Sequence, residues 1–195
     1  MGDNPKTPLT PNQKVLVWTR GQLGKTVGRG ECWDLGEQAL QQAGAQTSND
    51  LGPVADDADY IWGNPTKIKD VEPGDILQIR DLVITTTTVS AFVFPDGTSQ
   101  TETSEESITR AHHTAIVDGK LDADGSVKSL EQNVEPKGKI VQTLKINTRD
   151  VPEVVKVTSE KAVNPKTKKT ELAKVTRKVS ITVTGDIWPY KPKPK

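Results

Sequence analysis

Helical patterning in this chain is confined to its first 44 residues, and beyond residue 75 it reads almost wholly as strand and turn. Helices first and strands afterwards predict an α+β fold. Thr10-Pro11 is a helix start, with Thr as N-cap and Pro at the first helical position. Val15, Trp18 and Leu23 then form a helical stripe that ends at Gly24. Leu35, Ala39, Leu40 and Ala43 share one face of a second helix over 32–43, closed by Gly44 just past its end.

Residues 45–70 read as loop and short turns. Glu72-Pro73-Gly74-Asp75 is a turn with Pro second and Gly third. It launches a strand over 76–80, and a Thr- and Val-rich strand follows over 82–94. After a turn at Pro95-Asp96-Gly97, the polar run TSQTETSEES returns as exposed strand or loop. Strands are expected at 111–117 and 127–134 around a DADG turn, and again at 140–147. Segments 154–159 and 174–184 make a long polar hairpin around VNPKTK, and 187–190 closes the fold. The division expected is a disordered lead-in over 1–9 and a single domain over 10–190 with inserted hairpins near 82–110 and 151–186. A frayed basic tail, 191–195, ends the chain.

Its 195 residues suffice for one domain with a proper core. The hydrophobic share of 33% and the mean hydropathy of −0.56 call for substantial exposed loop or hairpin. No apolar run approaches the roughly 18 residues of a membrane span. The N-terminus has neither a secretory signal nor a myristoylation pattern, since Lys6 stands where Ser or Thr is required. A cytoplasmic protein and a domain excised from an exported one both fit. Zero net charge argues against nucleic acid or an acidic membrane as the main partner. The charge is uneven, however: residues 151–195 hold eleven Lys or Arg against four Asp or Glu. A solvated face explains this, and an anionic-surface contact is the alternative.

The single cysteine excludes an internal disulfide, and Cys32, His112 and His113 alone do not make a structural zinc site. No metal or cofactor is expected. A lone cysteine is by default a small buried hydrophobe. Cys32, however, follows the glycine-rich run LGKTVGRGEC and opens a helix. There the unpaired N–H groups and the macrodipole lower a thiol's pKa, and they can hold the oxyanion of an attacked carbonyl. A thiol nucleophile wants an imidazole base, itself oriented by a polar group. Of the two adjacent histidines at most one should face Cys32, and His112 is set aside as incidental. Pairing of the strands around residue 122 sets Glu131 or Asn133 opposite His113 in two registers, and Gln132 in an intermediate one. The Gly-Lys-Thr of GQLGKTVGRG lacks the spacing and the preceding strand of a phosphate loop.

GECWDLGEQAL resembles the cysteine segment of CHAP and NlpC/P60 domains, EPGDILQI their PGD-then-strand segment, and HHTAIVDG their histidine strand. SLEQNV is similar to the Glu-x-Asn strand of CHAP domains. The resemblance implies a papain-like fold, with N-terminal helices packed on an antiparallel sheet plus extended hairpins. It makes Cys32 the nucleophile, His113 the base, Glu131 the group orienting the imidazole, and Asn133 the fourth CHAP position. It implies a cysteine peptidase or amidase acting on a peptide or peptidoglycan-like substrate through a thioester. Gln22 would then be an oxyanion-hole side chain; apart from the resemblance, Trp33, Tyr60 and Trp62 are candidates to line a groove, since aromatics supply contact area at binding sites. Glu31 departs from the Gln that often precedes the CHAP cysteine, and a facing carboxylate would raise the thiol's pKa. GECW also looks like domains of this fold on eukaryotic cytoskeletal scaffold proteins. A non-hydrolytic module binding a protein partner, or an acyltransferase or deamidase, are therefore the competing expectations.

Overall fold

The structure, a computed structural model, describes residues 8–55 and 57–195. Most of the expected lead-in over 1–9 lies outside the described residues. Helix α1 (Pro11–Arg20) starts with a reciprocal cap: Thr10 Oγ1 accepts from the Gln13 N–H, and the Gln13 side chain accepts from the Thr10 N–H at 2.9 Å. It stops short of the expected Gly24. The N–H of Gly21 closes onto the Val17 carbonyl at 3.2 Å and that of Gln22 onto Thr19 at 2.9 Å, and Gly24 takes φ 76°, through which no helix continues. Helix α2 (Cys32–Ala43) has the expected bounds, with Gly44 as a left-handed cap. A one-turn helix, α3 (Ser48–Leu51), falls in the stretch read as loop.

The strands are β1 (Asn64–Pro65), β2 (Ile76–Val93), β3 (Ser99–Val117), β4 (Ser126–Glu131), β5 (Gln142–Asn147), β6 (Val151–Val163) and β7 (Thr170–Lys191). They run in the order β1-β7-β2-β3-β4-β5, with β6 on β7. The two strands expected over 76–94 are one, because Asp81 absorbs the irregularity between them at φ 50°. Strand β4 ends at Glu131 rather than at residue 134, since Asn133 leaves the sheet at φ 65°. The basic end is tied down rather than frayed: Gln46 N–H donates to the Lys193 carbonyl at 2.8 Å, and Ala45 bridges to Pro194.

The chain forms two compact units. The first holds the chain through Leu82, together with Arg110–Thr148 and Gly185–Lys195. In its core, Leu35, Ala39 and Leu40 of α2 meet Val15 of α1, Trp62, and the strand residues Ile76, Ile116 and Leu130. Complete burial of Leu35 and Leu40 contributes roughly 1.5–3 kcal/mol each. This packing fixes the N-terminal end of α2 beside the segment of β3 that carries both histidines.

The second unit is made of Val83–Thr109 and Arg149–Thr184, the segments read as inserted hairpins. Its own small cluster is Phe94, Ala173 and Val175, with Phe92 and Ala162 packed on it. Strands β6 and β7 pair antiparallel, Val157 opposite Thr176 and Val163 opposite Thr170. Residues 101–109 of β3 are exposed at every position, which their TETSEES composition tolerates.

Candidate active site

The loop before Cys32 is held from three sides. Gln132, fully buried, accepts from the Val27 N–H at 2.7 Å and donates to the carbonyls of Val27 at 3.0 Å and Glu31 at 2.9 Å. Asp34, at the third position of α2, accepts from the backbone N–H of Arg29 at 2.7 Å and of Glu31 at 3.3 Å. Val141 exchanges backbone hydrogen bonds with Gly24 and Lys25. Gly28 sits at φ 58°, where a Cβ would stand 2.8 Å from the Asp34 side chain. The turn can therefore close on the helix only with glycine there. Cys32 is thus the first residue of α2, half-buried, with its thiol at the positive end of the helix.

His113 and the Cys32 thiol are coupled, each favouring the charged form of the other. His113 is 4% exposed, and its Nε2 lies 3.1 Å from Glu131 Oε2, an ion-pair contact off the straight hydrogen-bond line. Nε2 is thereby engaged by the carboxylate. Glu131 is fully buried and also receives Arg110 Nε at 3.1 Å and the Ser129 hydroxyl at 2.6 Å. Burial raises its carboxyl, but His113, Arg110 and Ser129 together hold it below the ordinary range. Burial likewise lowers His113, yet contacts with the Cys32 sulfur and Glu131 outweigh it and push the imidazole up to about 9. For Cys32, burial pushes the thiol up. The His113 hydrogen bond and charge, with the backbone of Thr114 and Trp33, bring it below its ordinary value. All three shifts favour a thiolate–imidazolium pair backed by a charged carboxylate.

The sulfur opens onto a cleft of about 620 Å³, whose walls include Arg29, Trp33, Tyr60, His112 and Asn133. Trp33 donates its indole N–H to Ser48 at 3.0 Å, and its ring lies 6.4 Å edge-on from that of Tyr60. Trp62 is not a wall of this cleft. It is fully buried in the core with its N–H on Gln78 and its ring against Gly36 of α2 and Tyr60. Gln22 is absent from the lining; its amide turns back to the Trp18 carbonyl at 3.4 Å. Asn133 reaches Glu31 Oε2 at 2.7 Å instead of the imidazole. Glu31 is thereby turned toward Asn133 and Lys139, 3.0 Å away, rather than toward the thiol.

The roles of four residues were not visible in the sequence. His112, set aside there, lines the cleft, with its ring 5.2 Å from that of Tyr60 and Nε2 3.9 Å from Asp59. Arg110 holds Glu131 from behind, although regular strand alternation puts residues 110 and 113 on opposite faces. Gln132 clamps the loop. The capping spacing from Glu31 to Asp34 was the one local signal that would have drawn attention to Asp34. Among the described residues, no group of three or more His, Cys, Asp or Glu side chains is placed to hold a metal ion.

Compared with known families, residues 12–155 match the AIM3/BBC1 cysteine proteinase-fold domain. The chain belongs to that family. Helices followed by a mostly antiparallel sheet, with a cysteine opening a helix beside a strand histidine, are the papain-like fold in this member. The match establishes the family's fold, and CHAP or NlpC/P60 membership in particular does not follow from it. Neither the curated proteins nor the solved structures contain a match to the chain.

Proposed function

We propose that this domain is a cysteine-dependent amide hydrolase, with Cys32 as nucleophile, His113 as acid–base and Glu131 as the group that orients and charges the imidazole. The observation carrying this reading is the buried Glu131 contact 3.1 Å behind His113, next to a thiol whose ionisation is eased. A cysteine kept only for packing has no need of a buried carboxylate and a guanidinium lined up behind its imidazole neighbour. In the reaction, the Cys32 thiolate adds to the substrate carbonyl carbon while the first turn of α2 faces the developing oxyanion. His113 gives its proton to the leaving amine as the C–N bond breaks, which leaves a Cys32 thioester. His113 then takes a proton from water, whose oxygen attacks the thioester, releasing the carboxylic acid and the thiolate.

The substrate class is a peptide amide, and the peptidoglycan bonds cut by CHAP and NlpC/P60 domains are one form of it. A cleft with aromatic walls and an open polar rim supports a peptide more than a small apolar ligand. The test incubates the protein with purified muropeptides and with a degenerate peptide mixture, read by mass spectrometry. New carboxyl termini from the wild type, absent with a folded Cys32→Ser variant, are expected. Wild-type protein that alkylates rapidly at Cys32 yet yields no hydrolysis product would move the assignment to acyl transfer. Slow alkylation and no product together would leave a non-hydrolytic binding module, a reading favoured by the family's being named for its fold.

A further inference from the structure

The charge asymmetry of the sequence is concentrated in the second unit. Its segment Val83–Thr109 holds four acidic residues and no Lys or Arg, whereas Arg149–Thr184 holds nine Lys or Arg against four acids. Much of that positive charge gathers where β6 turns into β7. Lys161 and Lys174 flank the turn on the strands, and Lys166, Lys168 and Lys169 lie in or beside it. All five are exposed, and none forms an ion pair among the described residues. Lys166 senses the carboxylate of Asp96 without contacting it as a salt bridge. The other acids nearby are already engaged: Glu160 by Arg177, and Glu171 by Asn164 and Thr167.

The register gives these lysines apolar neighbours. Lys161 stands opposite Leu172 and Val163 opposite Thr170, so by strand alternation Lys161, Val163, Leu172 and Lys174 share one face. Val163 is 57% and Leu172 60% exposed. On the same tip, Val163 and Lys168 line a cleft of about 430 Å³ together with Phe92, Phe94 and Glu102. Large aliphatic side chains held in water among unpaired lysines are a combination that solubility alone does not require.

We infer that the β6–β7 tip is a peripheral docking surface for an anionic phospholipid bilayer. The lysines would sit among the headgroups, and Val163 and Leu172 would dip below them. Three features favour lipid over other polyanions. Every cation at the tip is a flexible lysine, without the arginines that fork onto nucleic-acid phosphates or carboxylates. The apolar side chains are aliphatic, offering no platform on which bases stack. The lysines are spread along both strands and the turn, as suits a fluid surface with no fixed register. The inference stands on the second unit alone and is independent of the chemistry proposed for Cys32.

The test is sedimentation of the full chain with phosphatidylcholine vesicles, with and without 30 mol% phosphatidylserine, at low and at near-physiological salt. Binding to the serine-containing vesicles only, weakened by salt, is expected. Each lysine near an anionic surface contributes about a fivefold factor, so Lys168→Ala/Lys169→Ala should weaken binding on the order of 25-fold. Val163→Ser/Leu172→Ser should weaken it further at the higher salt, where insertion carries more of the affinity. Because these positions are exposed, an unchanged unfolding midpoint checks that each variant is folded. Absence of binding at low salt, or binding indifferent to the tip substitutions, overturns the inference. So does tighter capture by poly-glutamate or duplex DNA than by the anionic vesicles.

Discussion

Replacing Glu131 with Gln removes one charge and almost no volume, so its consequences follow from electrostatics alone. In the folded protein the carboxylate is fully buried between Arg110, His113 and Ser129. Removing one member of a buried ionic cluster leaves the others uncompensated and typically costs 3–5 kcal/mol. Because Gln can still accept from Arg110 and Ser129, about 3 kcal/mol is expected here. The effect on the thiol is worked through His113. Its rise from 6.5 to about 9 favours the imidazolium by roughly 3 kcal/mol, net of burial, and two groups share in it, the Cys32 sulfur and Glu131. If Glu131 supplies about half, its loss withdraws roughly 1.5–2 kcal/mol, equivalent to slightly more than one pH unit. Less positive charge then faces the sulfur, and the thiol titrates higher. The assay is the rate of Cys32 alkylation by iodoacetamide between about pH 4 and 10, run beside urea unfolding. The midpoint should move up by about one pH unit in Glu131→Gln, with stability lowered by about 3 kcal/mol. A loss of stability without movement of the midpoint would show that Glu131 braces the sheet without tuning the pair, and the coupling argued here would be wrong.

Two further outcomes follow from the same geometry. His113 has a folded value above its unfolded one, so its contribution to stability is complete below about pH 6.5 and is lost as pH rises through about 9. The Cys32 thiol, held below its ordinary value, gains stability with rising pH over the same window, so wild-type urea midpoints should stay nearly flat there, and a steep fall would contradict the thiolate–imidazolium pair. Gln132→Ala leaves the buried N–H of Val27 and two carbonyls without their partner, at roughly 2–4 kcal/mol. It should also slow Cys32 alkylation by loosening the loop, and a variant of normal stability and normal reactivity would remove the clamp.

What the sequence made legible was local chemistry. The Thr10 cap, the bounds of α2, the Gly44 terminator and the turn before Ile76 each rest on residues within a single short segment, and each stands where it was expected. Longer-range features were not legible. Trp33 and Trp62 look alike as cleft candidates in the sequence, yet one lines the cleft and the other is sealed beneath α2. Only the packing of α2 on the sheet separates them. Gln22 and Gln132 were similarly interchangeable as polar residues. The first is held by its own helix, whereas the second, more than a hundred positions downstream of the loop, closes it. The union of 76–80 with 82–94 depended on a left-handed Asp81, a conformation that composition does not announce.

The strand pairing shows most clearly where pattern reasoning stops. Ile116 pairs with Leu130 and Val117 with Ser129, the register that on paper sets Asn133 opposite His113. Yet Glu131 is the residue that meets the imidazole. The ladder ends before it reaches Asn133, whose φ of 65° swings the chain out of the sheet and toward the loop. Glu131, two positions back on the same face, is then the nearest polar side chain and reaches His113 diagonally. The break also frees the two residues that follow: Glu131, still paired with Gln142, charges the imidazole, while Gln132 closes the glycine loop and Asn133 turns Glu31 away from the thiol. Pairing arithmetic identifies the right segment, but a single left-handed residue decides which member of it does what.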